Sequence, residues 1–114
     1  MNRHGTLGRS GEDAAVRLLE GQGYVVLARN VRLPGGEIDV IGRDGDVIAF
    51  IEVKTRASKR FGSALGAVDA RKRRTLRALA ADWLQIAAPR ARARFDIVTV
   101  DGDDHAELHR GAFA

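Results

Sequence analysis

The chain has 114 residues, 45% of them hydrophobic, which is enough for one domain with its own core and argues against disorder. A net charge of +4 and a pI near 10.3 give a modest basic balance that favours a polyanionic partner. The absence of cysteine excludes disulfides and thiolate metal sites, and no apolar stretch approaches the roughly 20 residues needed to cross a bilayer. Without an apolar leader at the N-terminus, we expect one cytoplasmic domain over residues 1–114, with no membrane partner.

The first half of the chain predicts a helix followed by three strands. The helix is expected to begin with a cap at Thr6 or Ser10 and to end at Gly21 and Gly23. A first strand runs from Tyr24 towards residue 31, and the next two cover roughly 37–42 and 47–55. The apolar run over 47–51 is typical of a strand that is buried on both faces.

The second half predicts a basic loop, a long helix and one further strand. The loop spans about 57–66, and the helix runs from about Asp69 to Ala88, where Pro89 ends it. A strand over 95–100 follows, and the tail from about 102 to 114 is flexible or adds a short edge strand. The order αβββαβ indicates an α/β sandwich, with a central mixed sheet flanked by helices.

Acidic residues and a lysine lie on the two middle strands, in segments that are otherwise apolar. Asp44-Gly45 is a strong hairpin signal, and a two-residue turn there pairs Arg43 with Asp46. The same register pairs Glu37 with Glu52 and makes Asp39 a diagonal neighbour of Glu52, with Cβ atoms roughly 7 Å apart. A register slip of one residue would put Asp39 and Glu52 on opposite faces.

In this register four charged side chains project to one side at the end of the hairpin: Glu37, Asp39, Glu52 and Lys54. Asp39 and Glu52 are then placed to share a hard cation such as Mg²⁺, which takes oxygen ligands and keeps part of its water shell. Lys54 is placed to pair with a carboxylate, to orient an attacking water or to stabilise charge on a phosphate. Spacing alone leaves open an exposed cross-strand ion network, which is an ordinary feature of sheets.

Basic residues crowd the first turns of the second helix, where cations oppose the helix dipole. Local helix stability therefore does not explain why these basic residues are there. Two explanations remain open: the residues contact nucleic acid, or they form a solvated helix face. The candidates for binding a phosphate backbone, including those on the preceding loop, are Arg56, Lys59, Arg60, Arg71, Lys72, Arg73 and Arg74.

Short motifs along most of the chain also resemble a known family. They are Gly11-Glu12, Gly23-Tyr24, Ala28-Arg29-Asn30, Gly36-Glu37-Ile38-Asp39, Glu52-Val53-Lys54-Thr55-Arg56, Ala67-Val68, Lys72, Ala80-Ala81 and Arg94-Phe95-Asp96. In this combination the chain resembles the bacterial YraN-like (UPF0102) family. That family is in turn similar to the PD-(D/E)XK nucleases, and in particular to archaeal Holliday junction resolvases.

The resemblance implies a restriction-endonuclease-like fold and a phosphodiesterase site that uses Mg²⁺ or Mn²⁺. Asp39 matches the first acid of the motif, Glu52 the second and Lys54 its lysine, while Glu12 matches an acid that related resolvases contribute from their first helix. Glu37, which lies on the same predicted face, would bind the metal through water, support Lys54 or serve only to pack the hairpin. Residue 38 is isoleucine where the motif is named for proline, a position that does not bind metal.

The function expected from this resemblance is a metal-dependent endonuclease that acts on DNA, including branched or otherwise structured DNA. A homodimer is a further expectation, because related resolvases cut two strands as dimers. The alternative is a non-catalytic nucleic-acid-binding or adaptor protein that retains the nuclease fold.

Overall fold

The structure, a computed structural model, describes residues 3–56, 66, 68–103 and 105–114. In these residues the chain forms two helices and five strands. In chain order they are α1 (Arg3–Gly21), β1 (Val25–Leu33), β2 (Gly36–Asp44), β3 (Val47–Thr55), α2 (Ala70–Ala87), β4 (Arg92–Val100) and β5 (Ala106–Phe113). No helix in this part of the chain is both long and apolar enough to span a membrane.

The strands form one mixed sheet in the order β1-β2-β3-β4-β5. Strands β3 and β4 are parallel and are connected through α2, whereas the other neighbouring pairs are antiparallel. This is the α/β sandwich that the element order predicted, and it is compatible with the restriction-endonuclease-like fold. The tail adds β5 as an edge strand, which was one of the two outcomes expected for it.

The helices cover opposite faces of the sheet, so the central strands are buried on both sides. Leu19 of α1 packs in one cluster with Val40 and Ile51, while Leu79 of α2 packs in another with Ile41 and Phe50. Because β3 lies under both helices, five consecutive residues of it, 48–52, are buried. The apolar run of β3 therefore has the two-sided burial that the sequence predicted.

The predicted start of the first helix was wrong. Thr6 and Ser10 lie inside α1, which begins at Arg3. A residue that can cap a helix favours a start at its position but does not force one, because the helix can continue through it. At the second helix the prediction was correct to within one residue. Asp69 is the N-cap, and its side chain accepts a hydrogen bond from the Lys72 backbone N–H at 2.8 Å.

The predicted hairpin register was wrong by two residues. Asp44 pairs with Val47, so the turn consists of Gly45 and Asp46 rather than Asp44 and Gly45. Gly45 has a φ of 64°, and a left-handed glycine at the first turn position is the arrangement of a type II′ turn. Side chains along a strand alternate between the two faces of the sheet, so a shift of two residues keeps Asp39 and Glu52 on the same face. The shift also brings the two residues directly opposite each other.

A buried polar network fastens the sheet on the α1 side, towards the β2–β3 turn. Asp96 is fully buried and accepts hydrogen bonds from the Tyr24 hydroxyl at 2.6 Å, from Arg94 Nε at 2.8 Å and from the Gly111 N–H at 2.9 Å. Arg94 also donates to Asp44 at 2.8 Å. Burial, together with the Asp96 carboxylate, raises the pKa of Tyr24 to about 12. The Arg94 and Asp96 motif thus joins β4 to β5 and to the hairpin.

Candidate functional site

Asp39 and Glu52 meet at the point where β2 and β3 separate. The last pair of the ladder is Val40 with Ile51, and one further step in that register brings Asp39 opposite Glu52. Oδ2 of Asp39 accepts the backbone N–H of Val53 at 2.9 Å, in place of a strand partner. This bond fixes the Asp39 carboxylate, which lies within hydrogen-bonding reach of the Glu52 carboxyl group.

Burial makes this acid pair electrostatically costly. Glu52 is only 8% exposed, and its burial, reinforced by the negative charge of Asp39, raises the pKa of Glu52 to about 7. Burial also raises the pKa of Asp39, and the Val53 N–H opposes that change by stabilising the carboxylate. Two carboxyl groups so close cannot both ionise freely, so the pair carries its full negative charge only at a cost that a proton or a cation relieves.

One oxygen of the pair lacks a hydrogen-bond partner. Oε2 of Glu52 is buried and has no donor among the residues that the structure describes. The other oxygen, Oε1, lies 3.8 Å from Nζ of Lys72, which reaches the site from α2. A buried carboxylate oxygen needs a proton, a donor or a cation, so the donor set fits a divalent ion.

The chemistry of the pair indicates which class of ion it fits. In the described part of the chain, no three His, Asp or Glu side chains stand close enough to form a preformed metal cage. Two carboxylates with the remaining positions filled by water and substrate are what Mg²⁺ typically uses in proteins. Glu52 and Asp39 are the residues that would hold it.

Lys54 follows Glu52 by two positions on β3, at the end of the strand. Its side chain is exposed, and its positive charge acts to lower the pKa of Glu52 against the larger effect of burial. The site therefore has an ammonium group at its solvent side and Lys72 on its α2 side.

Glu12 approaches the site from α1, but other residues hold its carboxylate. Oε1 of Glu12 accepts hydrogen bonds from Arg29 Nε at 3.0 Å and from Asn30 Nδ2 at 2.8 Å. Its negative charge is close enough to raise the pKa of Asp39. The helix comes near because residue 11 is glycine: a Cβ there would lie 3.0 Å from Thr55 Oγ1. The family resemblance implied a role for Glu12 but none for the two residues that bind it.

Glu37 is not brought together with the acid pair. It forms an ion pair with Arg32 on the neighbouring strand, with Nε and Oε2 3.5 Å apart. The prediction assumed regular alternation along β2. The structure breaks it, because Ile38 packs in the α2-side cluster and Val40 in the α1-side cluster. The expectation that Glu37 shares one side with Asp39 therefore fails at this irregularity.

The predicted nucleic-acid contacts fall into three groups. Arg71 and Arg74 are exposed at the start of α2, where a polyanion has access to them. Lys72, Arg73 and Arg56 are half-buried, and Lys72 points to Glu52. Lys59 and Arg60, with most of the predicted loop, lie outside the described residues.

Two contacts near the site were missed by sequence reasoning. Arg29 and Asn30 belong to a motif that was noted only as a likeness, and an asparagine inside a strand pattern was the available signal. On β4, the buried Thr99 hydroxyl lies 3.3 Å from Nε2 of the partly buried His109. No spacing rule indicates a contact between strands whose register is unknown.

Comparison with known proteins places this chain in a family. The model described as "Uncharacterised protein family UPF0102" matches residues 11–100. A UPF0102 protein of Shewanella loihica is 48% identical over 101 residues, covering 89% of each chain. One of Desulfosudis oleivorans is 42% identical, covering 99% of this chain and 94% of its own, and one of Parafrankia sp. is 46% identical, covering 94% and 95%. The chain therefore belongs to the UPF0102 family.

Proposed function

We propose that this protein is an endonuclease that hydrolyses DNA with Mg²⁺ or Mn²⁺. The observation that carries the proposal is the pair of the half-buried Asp39 and the buried Glu52, in which Oε2 of Glu52 has no donor in the described part of the chain. A protein that needed only stability would gain more from an apolar pair at this depth, since buried charge without full compensation is destabilising. Retaining two acids there supports a binding role.

The residues around the pair divide the work of phosphodiester hydrolysis. Asp39 and Glu52 would hold the divalent ion, which when bound would polarise the scissile phosphate and lower the pKa of the attacking water. Lys54 lies at the solvent side of Glu52, where its ammonium orients that water or neutralises charge on the phosphate. Lys72 holds Glu52 Oε1 and faces the same space from α2.

The distribution of positive charge supports a nucleic acid as the substrate. Arg71 and Arg74 are exposed on the first turns of α2, the same end of the helix from which Lys72 reaches the acid pair. Arginine and lysine at such positions bind phosphates without reading base sequence. A phosphate backbone held there would pass beside Asp39 and Glu52, and DNA, including branched DNA, is the substrate class that we propose.

Isosteric replacement of the two acids tests the proposal. Asp39→Asn and Glu52→Gln should each lower Mg²⁺- or Mn²⁺-dependent cleavage of linear and branched DNA by at least about 100-fold. This estimate follows because mutating a residue that only supports a metal ligand typically lowers metal affinity or activity by about 10–100-fold. Asp82→Asn, an exposed acid on α2, is the matched control and should cleave like the wild type. Cleavage that survives in both site variants, with folding confirmed by circular dichroism, would refute the proposal.

One observation favours a second function, that of a non-catalytic nucleic-acid-binding protein. The ion pair of Lys72 with Glu52 partly neutralises the acids without any metal. Such a protein would bind DNA with salt-dependent affinity yet would not bind Mn²⁺ at Asp39 and Glu52. Calorimetry of Mn²⁺ binding to the wild-type protein separates the two functions, since only the nuclease requires it.

A further inference from the structure

Asn30 has a backbone conformation that is unusual for its place in a strand. It lies within β1 and has a φ of 53°, and it is the one non-glycine residue with positive φ in the described ranges. Side chains with a Cβ avoid this left-handed region, although asparagine tolerates it better than most. A strained residue inside a strand points to a local requirement.

The register of the sheet places this strain directly beside the acid pair. Arg29 pairs with Val40 and Val31 pairs with Ile38, so Asn30 stands opposite Asp39. The side-chain alternation breaks at the same point on both strands, since Ala28 and Val31 pack in one cluster despite being three residues apart. The left-handed residue thus reorients the chain at the level of the site.

The side chain of Asn30 is engaged as a donor. Its Nδ2 lies 2.8 Å from Oε1 of Glu12, and Nε of Arg29 donates to the same oxygen at 3.0 Å. Arg29 is itself held by Asp13 at 2.6 Å. The Glu12 side chain is 16% exposed, so two donors fix a carboxylate that is largely shielded from water.

We propose that Asn30 is a positioning residue, which together with Arg29 holds Glu12 so that its second oxygen completes the cation site of Asp39 and Glu52, directly or through water. The inference rests on the proposed function, since it concerns the same site. The left-handed backbone turns the Asn30 amide towards α1, while the close approach of Gly11 to Thr55 brings α1 to the end of β3. Glu12 then acts as the third acid of the site without belonging to a preformed cage.

Asn30→Gly separates the side chain from the backbone strain. Glycine adopts a φ of 53° without a steric cost, and this gain offsets the loss of one hydrogen bond, so the variant should unfold near the wild-type temperature. It removes only the amide donor to Glu12 Oε1. If the side chain serves only the local fold, the substitution should leave cation binding unchanged.

The measurement is Mn²⁺ affinity by calorimetry, with thermal unfolding as the second readout. Asn30→Gly and Glu12→Gln should each weaken Mn²⁺ binding by about 10–100-fold. The double variant should be no weaker than Glu12→Gln alone, because both changes remove the same contribution. Glu20→Gln, which changes an exposed acid on the same helix, is the matched control and should keep Mn²⁺ affinity within about twofold.

The possible results are distinguishable. Wild-type affinity in Asn30→Gly, or effects of the two single variants that multiply in the double variant, would overturn the inference and leave the proposed function standing. Wild-type affinity in Glu12→Gln would do the same. A wild-type protein that binds no Mn²⁺ would overturn both the proposed function and this inference.

Discussion

The buried carboxylate of Glu52 can be neutralised either by a proton or by a divalent cation. In the absence of a cation it keeps a proton at a pH where an ordinary glutamate has lost it, because burial and Asp39 raise its pKa to about 7. A divalent ion would replace that proton and the Lys72 ammonium as the compensating charge. Proton and metal therefore compete for the same two carboxylates, and metal affinity should rise as the pH rises through 7.

The raised pKa of Glu52 also predicts how stability depends on pH without metal. Between the ordinary value of 4.5 and about 7, the unfolded chain loses this proton while the folded protein keeps it. The stability that Glu52 contributes is thus complete below pH 4.5 and is lost as the pH rises to 7, by about 3 kcal/mol. Urea unfolding of the wild type in EDTA at pH 5 and pH 8 measures this loss.

Glu52→Gln is the reference variant for that measurement, since it removes the titrating group and keeps the shape. Its stability should change less between pH 5 and pH 8 than that of the wild type. An equal change in the two proteins would show that Glu52 ionises normally in the folded state and would contradict a raised pKa for this residue.

At the scale of elements, the sequence predicted β3 with the bounds that the structure has, because an apolar run between a turn and a polar end is unambiguous. The turn itself was ambiguous, since Asp44-Gly45 and Gly45-Asp46 both allow a two-residue hairpin. Because the register was wrong by an even number of residues, the prediction still placed Asp39 and Glu52 on the same face of the sheet, and the pair was found. An error of one residue would have hidden it.

The contacts of Glu12 were beyond prediction for a physical reason. Arg29 and Asn30 are 17 and 18 residues away along the chain and reach Glu12 only after α1 has docked on the sheet. The alternation of β2, on which the prediction for Glu37 depended, breaks opposite the left-handed Asn30. The periodicity of side chains along a strand predicts only its regular stretches, whereas the acid pair and Asn30 lie where β1 and β2 are irregular.

The docking of α1 predicts an effect for Gly11→Ala. Alanine in a helix normally adds up to about 1 kcal/mol relative to glycine. Here its Cβ would lie 3.0 Å from Thr55 Oγ1, and overpacking costs about 1–3 kcal/mol. We expect Gly11→Ala to lower the unfolding temperature and to weaken Mn²⁺ binding, because α1 carries Glu12 away from the site.

The same helix supplies the control for that change. A Cβ at Gly21, the last residue of α1, meets no atom within 4 Å, so Gly21→Ala should not lower the unfolding temperature and should leave Mn²⁺ binding at the wild-type value. Adding Thr55→Ala to Gly11→Ala removes the clashing hydroxyl and should restore part of the loss. A Gly11→Ala protein that is more stable and binds Mn²⁺ normally would contradict the proposed role of this contact.

At the scale of the whole molecule, the fold separates a structural side from a chemical side. The Asp96 network closes the sheet towards the hairpin turn on the α1 face, where the Asp96 carboxylate accepts hydrogen bonds from Tyr24, Arg94 and Gly111. The carboxyl end of β3 instead gathers acids and lysines that satisfy one another only in part. Both helices meet this end, α1 through Glu12 and α2 through Lys72.

The most direct test of the account is a crystal structure of the wild-type protein soaked in Mn²⁺, with anomalous diffraction to locate the ion. We predict one anomalous peak between Asp39 and Glu52, with an oxygen of each at roughly 2.0–2.3 Å and Oε2 of Glu52 among the ligands. A map without a peak at the pair, with Lys72 still beside Glu52, would contradict the central claim that Asp39 and Glu52 form a divalent-cation site.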